Sequence, residues 1–167
     1  VRFVFVFLLA LLGACHSAPR VEARNFELNL AENWIDTEVR GEGVWSFISK
    51  EPLASLVISE HLVSVREGQI YAVAADVVRE RKKLERQVRG GRTIHFLDDS
   101  VRMNEDETSA EISYLGRIEG SDEYIHYIAY VSRFRIHGFW VSVETSDPQA
   151  ATAVLATVLK GLKSKPS

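Results

Sequence analysis

The alternation of apolar and polar positions divides the chain near residue 25. Phe3 to Leu12 is wholly apolar, and no formal charge stands between Arg2 and Arg20. His16 to Arg24 mixes small, polar and charged residues with one proline and shows no periodicity. That composition predicts a short tether, reaching at most about 3.5 Å per residue. From Asn25 onward the pattern becomes regular. Phe26, Leu28 and Leu30 alternate with Glu27 and Asn29, the signature of a half-buried strand.

Further strands follow. Ala31 to Trp34 reads as a turn closed by an aromatic plug, and Ile35–Arg40 and Val44–Ser49 flank Gly41-Glu42-Gly43, a hairpin signal. Lys50-Glu51-Pro52 breaks the chain before a β-rich run from Ser55 to Val65. The period then changes. Ile70, Ala74, Val77, Leu84 and Val88 recur at helical spacing, while Glu80, Lys82, Lys83 and Arg86 face elsewhere. Glu85 and Arg89 stand at i, i+4, and Gly90-Gly91 supplies a helix stop. Strands are predicted next over Arg92–Leu97, Ser109–Ile118, Glu123–Arg135 and Phe139–Thr145, with His137-Gly138 as the turn between the last two. Asp147 as N-cap and Pro148 at the first helical position open a final helix. Its apolar stripe is Val154, Leu155, Val158, Leu159 and Leu162, with Lys160, Lys163 and Lys165 at the end favourable to cations. Strands, helix, strands, helix is the order of an α+β domain: a mainly antiparallel sheet with a long helix after the first strand group and a C-terminal helix packed on it.

Composition leaves this picture unchanged and removes some functions. A chain of 167 residues with 46% apolar and 26% charged residues supports one domain with a real core. A formal net charge of −3 predicts neither nucleic-acid nor membrane binding by charge alone. One cysteine excludes an intramolecular disulfide and a cysteine-built zinc cage.

The apolar N-terminal run is about half the length of a membrane-spanning helix but suits the core of a secretory signal. It ends in Leu12-Gly13-Ala14-Cys15, which resembles the lipobox of bacterial lipoproteins. The resemblance implies cleavage between Ala14 and Cys15, and attachment of acyl chains to Cys15. On that basis residues 1–14 are a signal peptide, 15–24 a lipidated tether, 25–163 the folded domain and 164–167 a tail. His16 after the cysteine, in place of a retaining aspartate, implies an outer-membrane anchor facing the periplasm.

The folded part carries a second resemblance. Phe26-Glu27-Leu28-Asn29-Leu30 followed by Trp34, hairpins, a long amphipathic helix, long strands and a short last helix resembles the PsbP-like domains, which include DcrB-type lipoproteins and small adaptor chaperones. Ala31 stands where members often have proline. The resemblance implies a non-enzymatic protein acting through binding or assembly.

Residues able to carry chemistry are sparse. His16, His61, His95, His126 and His137 fall in different elements, with no HExxH or HxH spacing to put two imidazoles on one ion. Glu60 and His61 are neighbours in a strand and point to opposite faces. No GxSxG elbow surrounds a serine, and Gly90-Gly91 follows a helix rather than opening one. Asp98-Asp99 and Glu105-Asp106-Glu107 lack calcium-loop spacing and read as solvated loops. No catalytic residue, metal or cofactor is assigned. The most distinctive surface is the basic run Arg79, Arg81, Lys82, Lys83, Arg86, Arg89 and Arg92, of which Arg79, Lys82, Lys83, Arg86 and Arg89 form a candidate interaction surface.

The expected function is that of a lipid-anchored, non-enzymatic envelope protein, held to the membrane by its N-terminal lipid, that binds a protein partner or supports an envelope complex, without nucleic acid. Three alternatives stand beside it: an immunity or chaperone-like protein for a secreted effector, a small-ligand binder using Trp34, Trp45, Tyr127 and Trp140, and an enzyme built around His95, His126 and an acid.

Overall fold

A computed structural model describes residues 18–88 and 93–165. Ala14 and Cys15, Arg89, Gly90-Gly91 and Arg92 lie outside the described residues. Ten strands and two helices are described, in the order β1 (Arg20–Glu22), β2 (Phe26–Asn29), β3 (Trp34–Gly41), β4 (Val44–Lys50), β5 (Leu53–Leu62), α1 (Ile70–Val88), β6 (Ile94–Met103), β7 (Ser109–Ile118), β8 (Glu123–Ser132), β9 (Arg135–Glu144), α2 (Pro148–Leu159) and β10 (Leu162–Ser164). The fold is α+β, as the patterning predicts. Seven strands pair antiparallel in the order β3-β4-β5-β9-β8-β7-β6, and β1-β2-β10 form a separate three-stranded sheet.

The large sheet is covered on opposite faces over different halves. Ala110, Ile112, Tyr114 and Ile118 of β7 and Ile125, Tyr127, Ala129 and Val131 of β8 pack with Ile70, Ala74 and Val78 of α1. On the other face Phe47, Leu56, Phe139 and Val141 pack with Phe26 and Leu28 of the small sheet and with Ala151, Leu155 and Val158 of α2. Successive residues of β8 serve different cores, because strand side chains alternate: Tyr124 joins the α2 side and Ile125 the α1 side. Burial of these apolar faces is the main stabilising term.

Several local expectations are corrected. Arg20–Glu22 is a strand, not tether: it pairs with β2, and Val21 is fully buried. Leu162 leaves the last helix, which ends at Leu159, and pairs with Leu28 in β10. Gly161 permits this, since a Cβ there would run into the Asn29 carbonyl. The turn between the last long strands is Arg133-Phe134, and His137-Gly138 lies inside β9. Gly138 is there because a Cβ would come within 2.8 Å of both the Tyr127 hydroxyl and Ser59 Oγ. Asp98-Asp99 belongs to β6, beside a bulge between Phe96 and Asp98, rather than to a loop. The N-cap of α2 is as expected: Gln149 N–H donates to Asp147 Oδ1 at 2.9 Å.

Candidate functional site

Helix α1 positions the basic run. Its buried line is Ile70, Ala74, Val78 and Glu85, whereas Leu84, expected on the apolar stripe, is exposed. Tertiary packing rotates the helix so that a carboxylate, not a leucine, faces β7. Glu85 accepts a hydrogen bond from the Tyr114 hydroxyl at 3.0 Å and faces Arg81 Nη2 at 3.5 Å. The Arg81 guanidinium lies 5.0 Å over the Tyr127 ring, which stacks on Tyr114 with centroids 5.1 Å apart. Burial, then the Glu85 charge, pushes the Tyr114 hydroxyl well above its usual pKa, and burial raises Tyr127. This four-residue network was missed by pattern reading, which paired Glu85 with Arg89. Only the i, i+4 spacing of Arg81 and Glu85 signalled it.

The remaining cations of α1 line a shallow depression of about 500 Å³ with Ala75, Val78 and Asp99. Arg79 pairs with Asp76 at 2.9 Å and Lys83 with Glu80 at 3.7 Å. Lys82 pairs with Asp99 and lies 4.6 Å over the Phe96 ring, with Arg86 at 5.5 Å from the same ring. The structure thus groups Arg79, Lys82, Lys83 and Arg86 on the β6 flank of the helix. Exposed pairs of this kind are worth about 0–1 kcal/mol each, so a competing anion displaces them at little cost.

The histidines do not assemble. His95 lies 3.9 Å from Glu119 at the surface, and His126 sits on β8, separated from β6 by β7. Burial holds the His126 imidazole below its usual pKa, against the opposing charge of Asp98. Among the described residues its Nδ1 is buried without a hydrogen-bond partner. A pair that pattern reading did not find is Glu60–His137, 77 residues apart in sequence and 3.2 Å apart in space. Arg135 Nη1 stands 3.8 Å from the same carboxylate oxygen, and the Arg24 backbone N–H donates to its other oxygen at 3.4 Å. Burial lowers the His137 pKa and Glu60 partly offsets this. The cluster ties the small sheet to the large one. Among the described residues no group of three His, Cys, Asp or Glu side chains could hold a metal ion.

The four aromatic residues considered for a ligand pocket do not converge. Trp34 and Trp45 belong to the core on the α2 side, Tyr127 and Trp140 to that on the α1 side.

No protein-family model and no curated protein matches the chain. Among solved structures it is similar to the solution structure of cyanobacterial PsbP (CyanoP) from Synechocystis sp. PCC 6803, with a TM-score of 0.63 and 16% identity, over 92% of this chain and 99% of that one. A crystal structure from Bacteroides thetaiotaomicron VPI-5482 at 1.50 Å shares 14% identity at a TM-score of 0.46, over 85% of this chain and 46% of that one. At such identities the likeness is one of fold. The seven-stranded antiparallel sheet, with α1 on one face and α2 with the small sheet on the other, is a PsbP-like fold.

Proposed function

We propose that this chain is a lipid-anchored, non-catalytic protein of the bacterial cell envelope, attached through Cys15 to the outer membrane on its periplasmic side, that binds a protein partner and supports an envelope assembly. The observation that carries this reading is how soon the fold begins after the lipobox. Leu30 N–H donates to the Pro19 carbonyl at 2.9 Å, and Val21 is wholly buried. Five residues from Cys15 to Arg20 reach at most about 17 Å, which keeps the domain close to the bilayer. A PsbP-like domain on so short a leash suits a stationary docking platform. Of the ionisable groups drawn into the interior, Glu85 is engaged with Arg81 and Glu60 with His137, which supports a structural use of these four. The aromatic residues split over two faces give no support to small-ligand binding.

The test has two arms. Metabolic labelling with an alkynyl fatty acid marks the unsubstituted chain and leaves Cys15→Ala unmarked; equal labelling refutes the anchor. Crosslinking in the native envelope followed by mass spectrometry recovers a resident envelope protein. Recovery of a secreted effector in its place would assign the immunity or chaperone role.

A further inference from the structure

The two faces of the large sheet are covered unequally. On the α2 side, Phe47, Leu56, Phe139 and Val141 are at most 1% exposed. The reverse side of β3, β4 and β5 has no covering element among the described residues, because α1 lies over β6, β7 and β8. On β9 the same side is largely closed, with Ser142 buried and Trp140 packed against the α1-side core. Cross-strand register places Ile35 beside Ile48 beside Ser55 on that side, and Ser46 beside Val57 beside Trp140 in the next row. Every position in these rows is uncharged. Ile35 is 41% and Ile48 42% exposed, which is unusual for neighbouring large apolar residues within a sheet.

This half-face is a shelf, and α1 is the wall beside it. Val73 and Val77 of α1 pack against the same core as Trp140. Leu84 lies seven residues beyond Val77 on the same line of the helix, and is 42% exposed. The leucine that breaks the buried stripe of α1 therefore overlooks the shelf.

We propose that a second copy of this chain packs on the shelf about a two-fold axis, sheet against sheet. Three arguments favour this occupant. First, the three open strands, about 4.8 Å apart and some eight residues of about 3.4 Å rise long, give a face of roughly 400 Å², and the flank formed by Val73, Val77, Leu84 and Trp140 brings it to roughly 500 Å². Two copies then bury roughly 1,000 Å², the size at which a specific contact holds. Second, packed sheets lie about 10 Å apart, close to the diameter of a helix, so a sheet laid on the shelf is level with α1. Its edge then meets Val73, Val77 and Leu84, and the step on each copy is filled by the other. Third, the rim carries both signs, Lys50 against Asp122, Glu123 and Glu144, with Leu53 between, around a depression of about 560 Å³. A self-complementary contact needs both signs, whereas a partner of one charge would meet like charge at one corner.

The test is thiol crosslinking with a short bismaleimide in intact cells, on the full chain. The unsubstituted chain, whose only cysteine is Cys15, sets the background. Ile48→Cys is expected to give a dimer-sized product several-fold above that background, and Lys163→Cys, exposed on the small sheet, none. Adding Ile35→Arg to Ile48→Cys, at an exposed edge position that folding tolerates, abolishes the product; an unchanged circular dichroism melt verifies the fold. Any of three results overturns the proposal: no product from the Ile48→Cys chain, equal product from the Lys163→Cys chain, or a product joining the Ile48→Cys chain to a different protein. Retention of the dimer after Ile35→Arg is added overturns it as well.

Discussion

Tyr114→Phe removes one oxygen atom from the interior and tests whether the buried Glu85 carboxylate is a fixed part of the fold. Tyr114 is 1% and Glu85 5% exposed, so water cannot replace the bond between them. A hydrogen bond to a charged group contributes about 1.5–3 kcal/mol, against about 1 kcal/mol for a neutral pair. The expected loss is therefore about 2 kcal/mol, or some 4–8 °C in melting temperature for a domain of this size. Glu85→Leu should cost more, about 3 kcal/mol, since it strands the Tyr114 hydroxyl and takes the counter-charge from Arg81. Arg81 keeps a third of its side chain in water, which limits that second contribution. The double variant should fall short of the sum of the singles by about 1–2 kcal/mol, the coupling expected of two groups in direct contact. Urea unfolding followed by circular dichroism measures all three. Additivity within about 0.5 kcal/mol, or a Tyr114→Phe chain as stable as the parent, would refute the network as described.

Two further predictions concern the same interior. Burial raises the pKa of Tyr114 and Tyr127 above that of an unfolded tyrosine, so the native state keeps protons that the unfolded chain releases. Their stabilisation is whole below pH of about 10 and is lost as pH rises beyond it, at about 1.4 kcal/mol per pH unit for each residue. Urea midpoints between pH of about 9 and 11 measure it, and a flat profile contradicts the burial. Gly138→Ala should cost about 1–3 kcal/mol through its clash with the Tyr127 hydroxyl and Ser59. Tyr127→Phe should restore part of that loss, because Tyr127 Cε2 at 3.1 Å remains in place; a thermal melt showing no rescue would place the strain elsewhere.

Local pattern and long-range contact acted on different parts of this molecule. The alternation in Ala110, Ile112 and Tyr114, the helical spacing from Ile70 and the Asp147-Pro148 cap each depend on neighbours within a few residues, and each was legible. Strands of three residues, β1 and β10, offer too few positions for a period, and their place depends on β2 lying between them. A glycine after a histidine looks like a turn by local rules. Gly138 is instead required by a tyrosine from the adjacent strand.

Sequence by itself determined the class of fold, an antiparallel sheet with two helices, because apolar periodicity reports which side of each element must leave water. It also carried the lipobox resemblance at Cys15, which lies outside the described residues. Tertiary structure decided which groups meet. It paired Glu85 with Tyr114 and Glu60 with His137, separated His95 from His126, and gave Trp34 and Trp140 to different cores. It also left Ile35, Ile48 and Leu84 in the open. Each of these depends on strand order and on where a helix comes to rest, and periodicity along one segment holds no record of the segment opposite.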